Sequence, residues 1–347
     1  MSYVRVKQLP TSTEVLTRLQ LTPALARQVE ADRCEIQDIL SGKDTRKLLI
    51  IGPCSAWPGE AVLEYARRLK EATLPLETKL KVVLRAYVDK PRTRKDWLGP
   101  ASQPDPFLPP NLGRGTVYAR NLLLQVLEAG LPVASEVLFS NHVEMLSDLL
   151  AWGAIGARSV EDQEHRLLAS ALDCPVGMKN PTGGHIEPAV NAAAVAQQSN
   201  DMAYQGYQVR TRGNAYAHLV LRGGRSGPNY SRENILEARD MMCEQGIRHP
   251  AVMIDAGHDN CICDGKKDPS RQADVIREVM GQMQRDPGVA SVVKGFMVES
   301  FIKGGKQDLN SLTPATVDRS GLSVTDPCLS CEETQELLHE MQQRLKG

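Results

Sequence analysis

The chain reads as an α/β protein, a (β/α)8 TIM barrel with a short N-terminal extension, on three observations. Short branched apolar runs recur along its 347 residues, segments with helical spacing lie between them, and nearly every run leads into a residue able to do chemistry. Eight such alternations over roughly 290 residues are what a closed parallel barrel requires. A doubly wound open sheet also satisfies the alternation and stands as the structural alternative.

Taken in order, residues 1–46 are a charged, amphipathic extension, and residues 47–347 hold the barrel. Within the extension, "TPALARQVEADRCEIQDILSG" predicts a helix closed by Gly42. The first strand is "KLLIIGPC", Lys47 to Cys54, a branched apolar run that stops at a glycine and a proline. The other strands are predicted at Lys81 to Tyr87, Pro132 to Leu138, Ala154 to Val160, Pro175 to Lys179, Ala217 to Gly224, Ala251 to His258 and Val292 to Ser300. Helices are predicted at Gly59 to Thr73, Gly115 to Gly130, Asn141 to Gly153, Asp162 to Leu172, Ile186 to Gln198, Arg232 to Gly246 and Arg271 to Asp286.

Composition narrows the function classes. With 41% hydrophobic and 24% charged residues and a formal net charge of −1, the chain has material for a large core and no bulk attraction for nucleic acid or an anionic membrane. The start "MSYVRVKQLP" lacks the apolar core of a signal peptide, and no apolar stretch approaches the ~18 residues of a membrane span, so a cytoplasmic protein is expected. In that compartment the eight cysteines are thiols, metal ligands or small buried residues rather than a disulfide framework. The pairs Cys261/Cys263 and Cys328/Cys331 lack the further spacing of a structural zinc site and are read as loop thiols.

The predicted strands end near Cys54, Arg85, Glu136, Arg158, Lys179, Arg222, His258 and Glu299. A barrel brings all C-terminal strand ends to one face, so residues scattered over the sequence converge on one pocket. Its cationic half is Arg85, Arg158, Lys179 and Arg222, joined by Lys90 and Arg92 from "DKPRTR". Forked guanidinium groups at this density suit a substrate with at least two anionic groups, phosphate or carboxylate. The other half, Cys54, His258 and Glu299, offers thiolate, imidazole and carboxylate to a borderline divalent ion, Mn2+, Fe2+, Co2+ or Zn2+; Asp326 in "SVTDPC" is a candidate fourth ligand.

From Leu48 to the C-terminus the strings "IGPCS", "KPRT", "WGAIGAR", "CPVGMKN", "LRGG", "PNYS", "VMID", "MVES" and "TDPC" occur in an order that resembles the type I 3-deoxy-D-arabino-heptulosonate 7-phosphate (DAHP) synthases. The resemblance implies a (β/α)8 barrel and a metal-dependent, aldol-like condensation of phosphoenolpyruvate with the phosphorylated aldose erythrose 4-phosphate, the first step of the shikimate pathway. It places metal ligands at Cys54, His258, Glu299 and Asp326. Phosphoenolpyruvate falls on Arg85, Gly156, Ala157, Arg158, Lys179 and Arg222, with Glu136 beside it to position or deprotonate water. Lys90, Arg92 and Thr93 match the segment that holds the aldehyde phosphate, with Lys90 as proton donor. It further implies a homodimer or homotetramer assembled partly through the extension.

Departures from the family pattern cluster around the aldehyde. Ala56, Trp57 and Pro58 follow "GPCS", Ala256 and Gly257 precede His258, Trp97 to Pro106 gains prolines, Arg210 to His218 differs, and "LRGGRSGPNY" is one residue longer. Two readings follow: drift in loops that still bind erythrose 4-phosphate, which we adopt, or a paralogue with another phosphorylated aldehyde in a specialised pathway. A non-catalytic binding paralogue has no need of a complete metal-ligand set.

Overall fold

A computed structural model describes residues 1–92 and 96–345. Eight parallel strands, β1 (Lys47–Gly52), β2 (Leu80–Arg85), β3 (Val133–Glu136), β4 (Leu150–Ile155), β5 (Val176–Lys179), β6 (His218–Leu221), β7 (Val252–Asp255) and β8 (Val293–Glu299), close in sequential order, with β8 paired back onto β1. The open-sheet alternative is thereby excluded. Because side chains alternate across a strand, Leu48 and Ile50 join Val83, Ala134, Trp152 and Met297 inside the barrel, while Leu49 and Ile51 face the layer under the helices. Both faces are buried, so the strands read as continuous apolar runs and not as an alternation.

The helices around the barrel are α3 (Gly59–Thr73), α4 (Leu112–Glu128), α5 (Ser140–Leu146), α6 (Gln163–Ala169), α7 (Glu187–Gln197), α8 (Arg232–Glu244), α9 (Arg271–Arg285), α10 (Pro287–Val292) and α11 (Cys331–Arg344). Two precede it, α1 (Ser12–Arg18) and α2 (Pro23–Ser41). The second ends as its sequence predicts, with Gly42 in the left-handed conformation. Its Ile36, Ile39 and Leu40 belong to the same apolar cluster as the barrel interior, so α2 stoppers the end of the barrel opposite the strand C-termini. Arg33 fixes it there, donating to Leu150 O and Ser147 O, each at 2.9 Å, and Asp32 accepts from Lys81 on β2 at 2.6 Å.

Several boundaries differ from the sequence prediction. β4 begins at Leu150, not Ala154, because α5 stops at Leu146 and a 3-10 turn at Ser147–Leu149 hands the apolar residues that follow to the sheet. A short apolar run fits either period, and here the sheet took it. Two hairpins, Asp201–Tyr204 with Tyr207–Arg210 and Ile262–Cys263 with Lys266–Lys267, and the short helices α1 and α10 were not foreseen, nor was α11. No helix among the described residues is long and apolar enough to cross a membrane.

Candidate active site

At the C-terminal end of the strands, Cys54, Arg85, Lys90, Arg92, Glu136, Gly156, Ala157, Arg158, Lys179, Arg222, His258 and Asp326 line one cavity of about 160 Å3, together with Lys267 and Thr325. Glu299 contacts two of these lining residues, Arg85 at 3.0 Å and His258 at 3.9 Å, and Thr93 lies outside the described residues. Four of the predicted strand-end residues are not on strands. Cys54, Arg158, Arg222 and His258 sit one to three residues beyond the last paired residue, on the loops that begin where glycine, proline or a turn ends each strand. Loops on a rigid barrel are where binding groups are expected, so the correction concerns the backbone and not the convergence.

The donor cluster is built from three loops and the end of β8. Ligand atoms of Cys54, Glu299 and Asp326 lie within 4.8 Å of one another, and His258 Nε2 is 3.9 Å from Glu299 Oε1. Each is braced from behind. Gln272 on α9 donates to Glu299 O (2.9 Å) and accepts from its N–H (2.8 Å), and Thr325 Oγ1 donates to Ser55 Oγ (3.0 Å), tying the Asp326 loop to the Cys54 loop. His258 has a positive φ of 54° and brings Nδ1 within 2.9 Å of Asp255 Oδ2, off the line of a full hydrogen bond, leaving Nε2 turned toward Glu299. An imidazole whose far nitrogen faces a carboxylate is the arrangement that orients histidine ligands.

Charge in this cluster is tightly balanced. Burial, with Glu299 nearby, raises the Cys54 thiol against the pull of Lys90, whose Nζ lies 3.2 Å from the sulfur and donates to Cys54 O at 2.8 Å. Burial opposes ionisation of Glu299 and Asp326 as well, yet both are held low: Glu299 by His258 and Arg85, Asp326 by Lys267 (2.5 Å) and His258. Burial also pushes His258 down to about 4, against Asp255, which keeps the imidazole neutral at pH 7. A neutral imidazole, two ionised carboxylates and a thiol beside an ammonium form a donor set that suits a divalent ion.

The cationic half is more committed than its sequence suggests. Arg85 is fully buried: it donates to Cys54 O (2.8 Å) and Glu299 Oε1 (3.0 Å), and its guanidinium lies 3.9 Å from the centre of the Tyr87 ring. It thus clamps the Cys54 loop, with Nε unpaired. Lys179 donates to Asp255 at 2.9 Å, Arg222 to Asp259 at 2.7 Å, and Arg92 pairs with Asp96. Glu136 is raised by burial, against Lys179 and Lys90. Gly156 makes its position possible, since a Cβ there would come within 2.0 Å of Glu136 Oε1. Asp255, Asp259, Lys267 and Tyr87 are site residues that the sequence reading missed. Only Asp255 carried a signal, as the charged end of the apolar run "VMID".

The departures from the family pattern are packed. Trp57 and Trp97 meet edge to face with centroids 6.2 Å apart, in a cluster with Val317 and Val324, and their indole N–H groups donate to Pro104 O (3.0 Å) and Gln103 O (2.8 Å). This cluster adjoins Thr325 and Asp326 in sequence and supports the loop that bears them.

A (β/α)8 barrel whose strand C-termini gather arginines and lysines around a Cys, His, Glu and Asp donor set defines a class of enzymes that handle phosphorylated substrates. The chain belongs to the DAHP synthetase I family, whose model matches residues 22–339, and is a transferase of the 3-deoxy-7-phosphoheptulonate synthase type. It is 39% identical over 342 residues to the Trp-sensitive phospho-2-dehydro-3-deoxyheptonate aldolase of Escherichia coli K12, covering 97% of this chain and 95% of that one. It is 38% identical over 349 residues to the phospho-2-dehydro-3-deoxyheptonate aldolase of Corynebacterium glutamicum, covering 97% and 92%. The solved phospho-2-dehydro-3-deoxyheptonate aldolase of Francisella tularensis SCHU S4 superimposes with a TM-score of 0.92 at 33% identity, with full coverage of both chains.

Proposed function

We propose that this enzyme condenses phosphoenolpyruvate with erythrose 4-phosphate to give DAHP and inorganic phosphate, as a metal-dependent first step of the shikimate pathway in the cytoplasm. The observation that carries the reading is the junction of the two halves: Lys90 Nζ, 3.2 Å from Cys54 Sγ, sits at the donor cluster on one side and at the cationic cavity on the other. Cys54, His258, Glu299 and Asp326 would hold the ion. When bound there, a divalent ion supplies Lewis acidity that polarises the aldehyde oxygen.

The protein's own groups do the rest. Arg158, Lys179 and Arg222 hold the phosphate and carboxylate of phosphoenolpyruvate with its methylene carbon facing the aldehyde; Arg92 and Thr93 hold the aldehyde's phosphate. As the methylene carbon attacks, Lys90 gives its proton to the oxygen that was the aldehyde's. Glu136, kept in a buried place that raises its pKa, positions or deprotonates the water that adds at the central carbon before phosphate departs. Arg85 acts by fixing the Cys54 loop and Glu299.

The extension, with Tyr3, Val4 and Val6 exposed, is proposed to help assemble a homodimer or homotetramer. The acceptor assignment is tested by initial rates with erythrose 4-phosphate and with three- and five-carbon phosphorylated aldoses. The four-carbon aldose is expected to give the highest kcat/KM by at least roughly tenfold, the scale that a built pocket reaches for a single carbon unit. A longer or shorter aldose that outperforms it identifies the packed Trp57–Trp97 wall as a specificity change.

A further inference from the structure

Five pocket cations, Arg85, Arg92, Lys179, Arg222 and Lys267, are held by carboxylates, and three of those carboxylates have another task. Glu299 and Asp326 belong to the donor cluster, and Asp255 braces His258. Asp96, on Arg92, is 32% exposed at its side chain. Asp259 has no such task, yet its carboxylate is set directly on Arg222, Oδ2 to Nη1 at 2.7 Å.

The contact is built on both sides. The Asp259 N–H donates to Arg222 O at 3.1 Å, and the Arg222 N–H donates to Asn180 Oδ1 at 2.8 Å, so the two main chains are held in register and the ion pair is preformed. Arg222, its side chain 7% exposed, lines the cavity, and the Asp259 side chain, 19% exposed, reaches it from the neighbouring loop. A phosphoryl group entering beside Arg222 meets a carboxylate already on the fork it needs. Nη1, which also donates to Gly223 O at 3.3 Å, becomes available to a phosphoryl oxygen only when Asp259 rotates away, and the displaced carboxylate then stays near a second anion.

We propose that Asp259 is a resident competitor of phosphate: it occupies Arg222 in the substrate-free pocket, weakens the hold on phosphoryl groups, and eases release of the inorganic phosphate product. The inference rests on the reading of this cavity as the phosphoenolpyruvate site. It concerns specificity and release and leaves the chemical step to the groups named above. The linkage is simple: whatever stabilises the Arg222–Asp259 pair is subtracted from the binding of any anion that must break it.

The test is calorimetric titration of inorganic phosphate and, separately, of phosphoenolpyruvate into full-length, manganese-loaded protein, as wild type, Asp259→Asn, Asp259→Ala, Arg222→Gln and the Arg222→Gln/Asp259→Asn double variant, with thermal unfolding to verify each fold. Both Asp259 variants should bind phosphate roughly three- to tenfold more tightly than wild type, the scale of a partly exposed ion pair, and the gain should vanish when Arg222 is absent. Equal or weaker phosphate binding by folded Asp259 variants, while wild type still binds phosphoenolpyruvate, overturns the proposal and leaves the site reading intact. A gain that persists without Arg222 also overturns it. Failure of wild type and Asp259 variants alike to bind phosphoenolpyruvate defeats the site reading, and the proposal with it.

Discussion

Glu136 reaches the cavity because position 156 has no side chain, and Cys54 faces Lys90 because Arg85 holds the two carbonyls before and at it. Such supports are not visible in the composition of a motif; they arise when loops from different strands meet. The same holds for His218, buried in the barrel interior, where it accepts from Trp152 Nε1 at 3.2 Å and donates through Nδ1 to Tyr216 O at 2.8 Å. Burial pushes its pKa down to about 4 from the usual 6.5. Between these values the unfolded chain binds a proton that the folded one refuses, so stability rises with pH across this window and is lost as pH falls from about 6.5 to about 4. His218→Gln keeps an acceptor for Trp152 and removes the titration. In denaturant unfolding at pH 6.5 and pH 4, wild type is expected to lose about 3 kcal/mol more than the variant. An equal loss in both proteins would show that His218 is not held neutral.

At the scale of elements, most of the barrel was legible. α3 spans the residues predicted, and seven of the eight strands overlap closely with the apolar runs that suggested them, because a strand buried on both faces leaves an uninterrupted signal. The error at β4 has a physical cause: "LLAW" suits a buried helix face as well as a strand, and only its pairing with β3 and β5 decides. The hairpins escaped notice since neither carries a strand-length apolar run. The site was legible as residue types and convergence, but not as pairings: Asp255, Asp259 and Lys267 each answer a cation or a carboxylate from a distant segment. The extension also proved more than an arm, for α2 places Ile36, Ile39 and Leu40 in the interior cluster. Ile39→Ala should therefore cost about 2–5 kcal/mol in chemical denaturation, as for a core deletion. A cost below about 1 kcal/mol would mean that α2 is merely an appendage, the behaviour of a surface substitution.

For the whole molecule, a formal net charge of −1 conceals a strongly cationic cavity in which the cations are matched by carboxylates from neighbouring loops. That balance keeps the buried charges paired. The most direct measurement is loss of phosphoenolpyruvate ultraviolet absorbance with manganese-loaded and with metal-free protein, with and without erythrose 4-phosphate, for wild type and Cys54→Ala. The account predicts consumption only when both the metal and the aldehyde are present, and its abolition in Cys54→Ala. Consumption without the aldehyde, or undiminished consumption by Cys54→Ala, would contradict it.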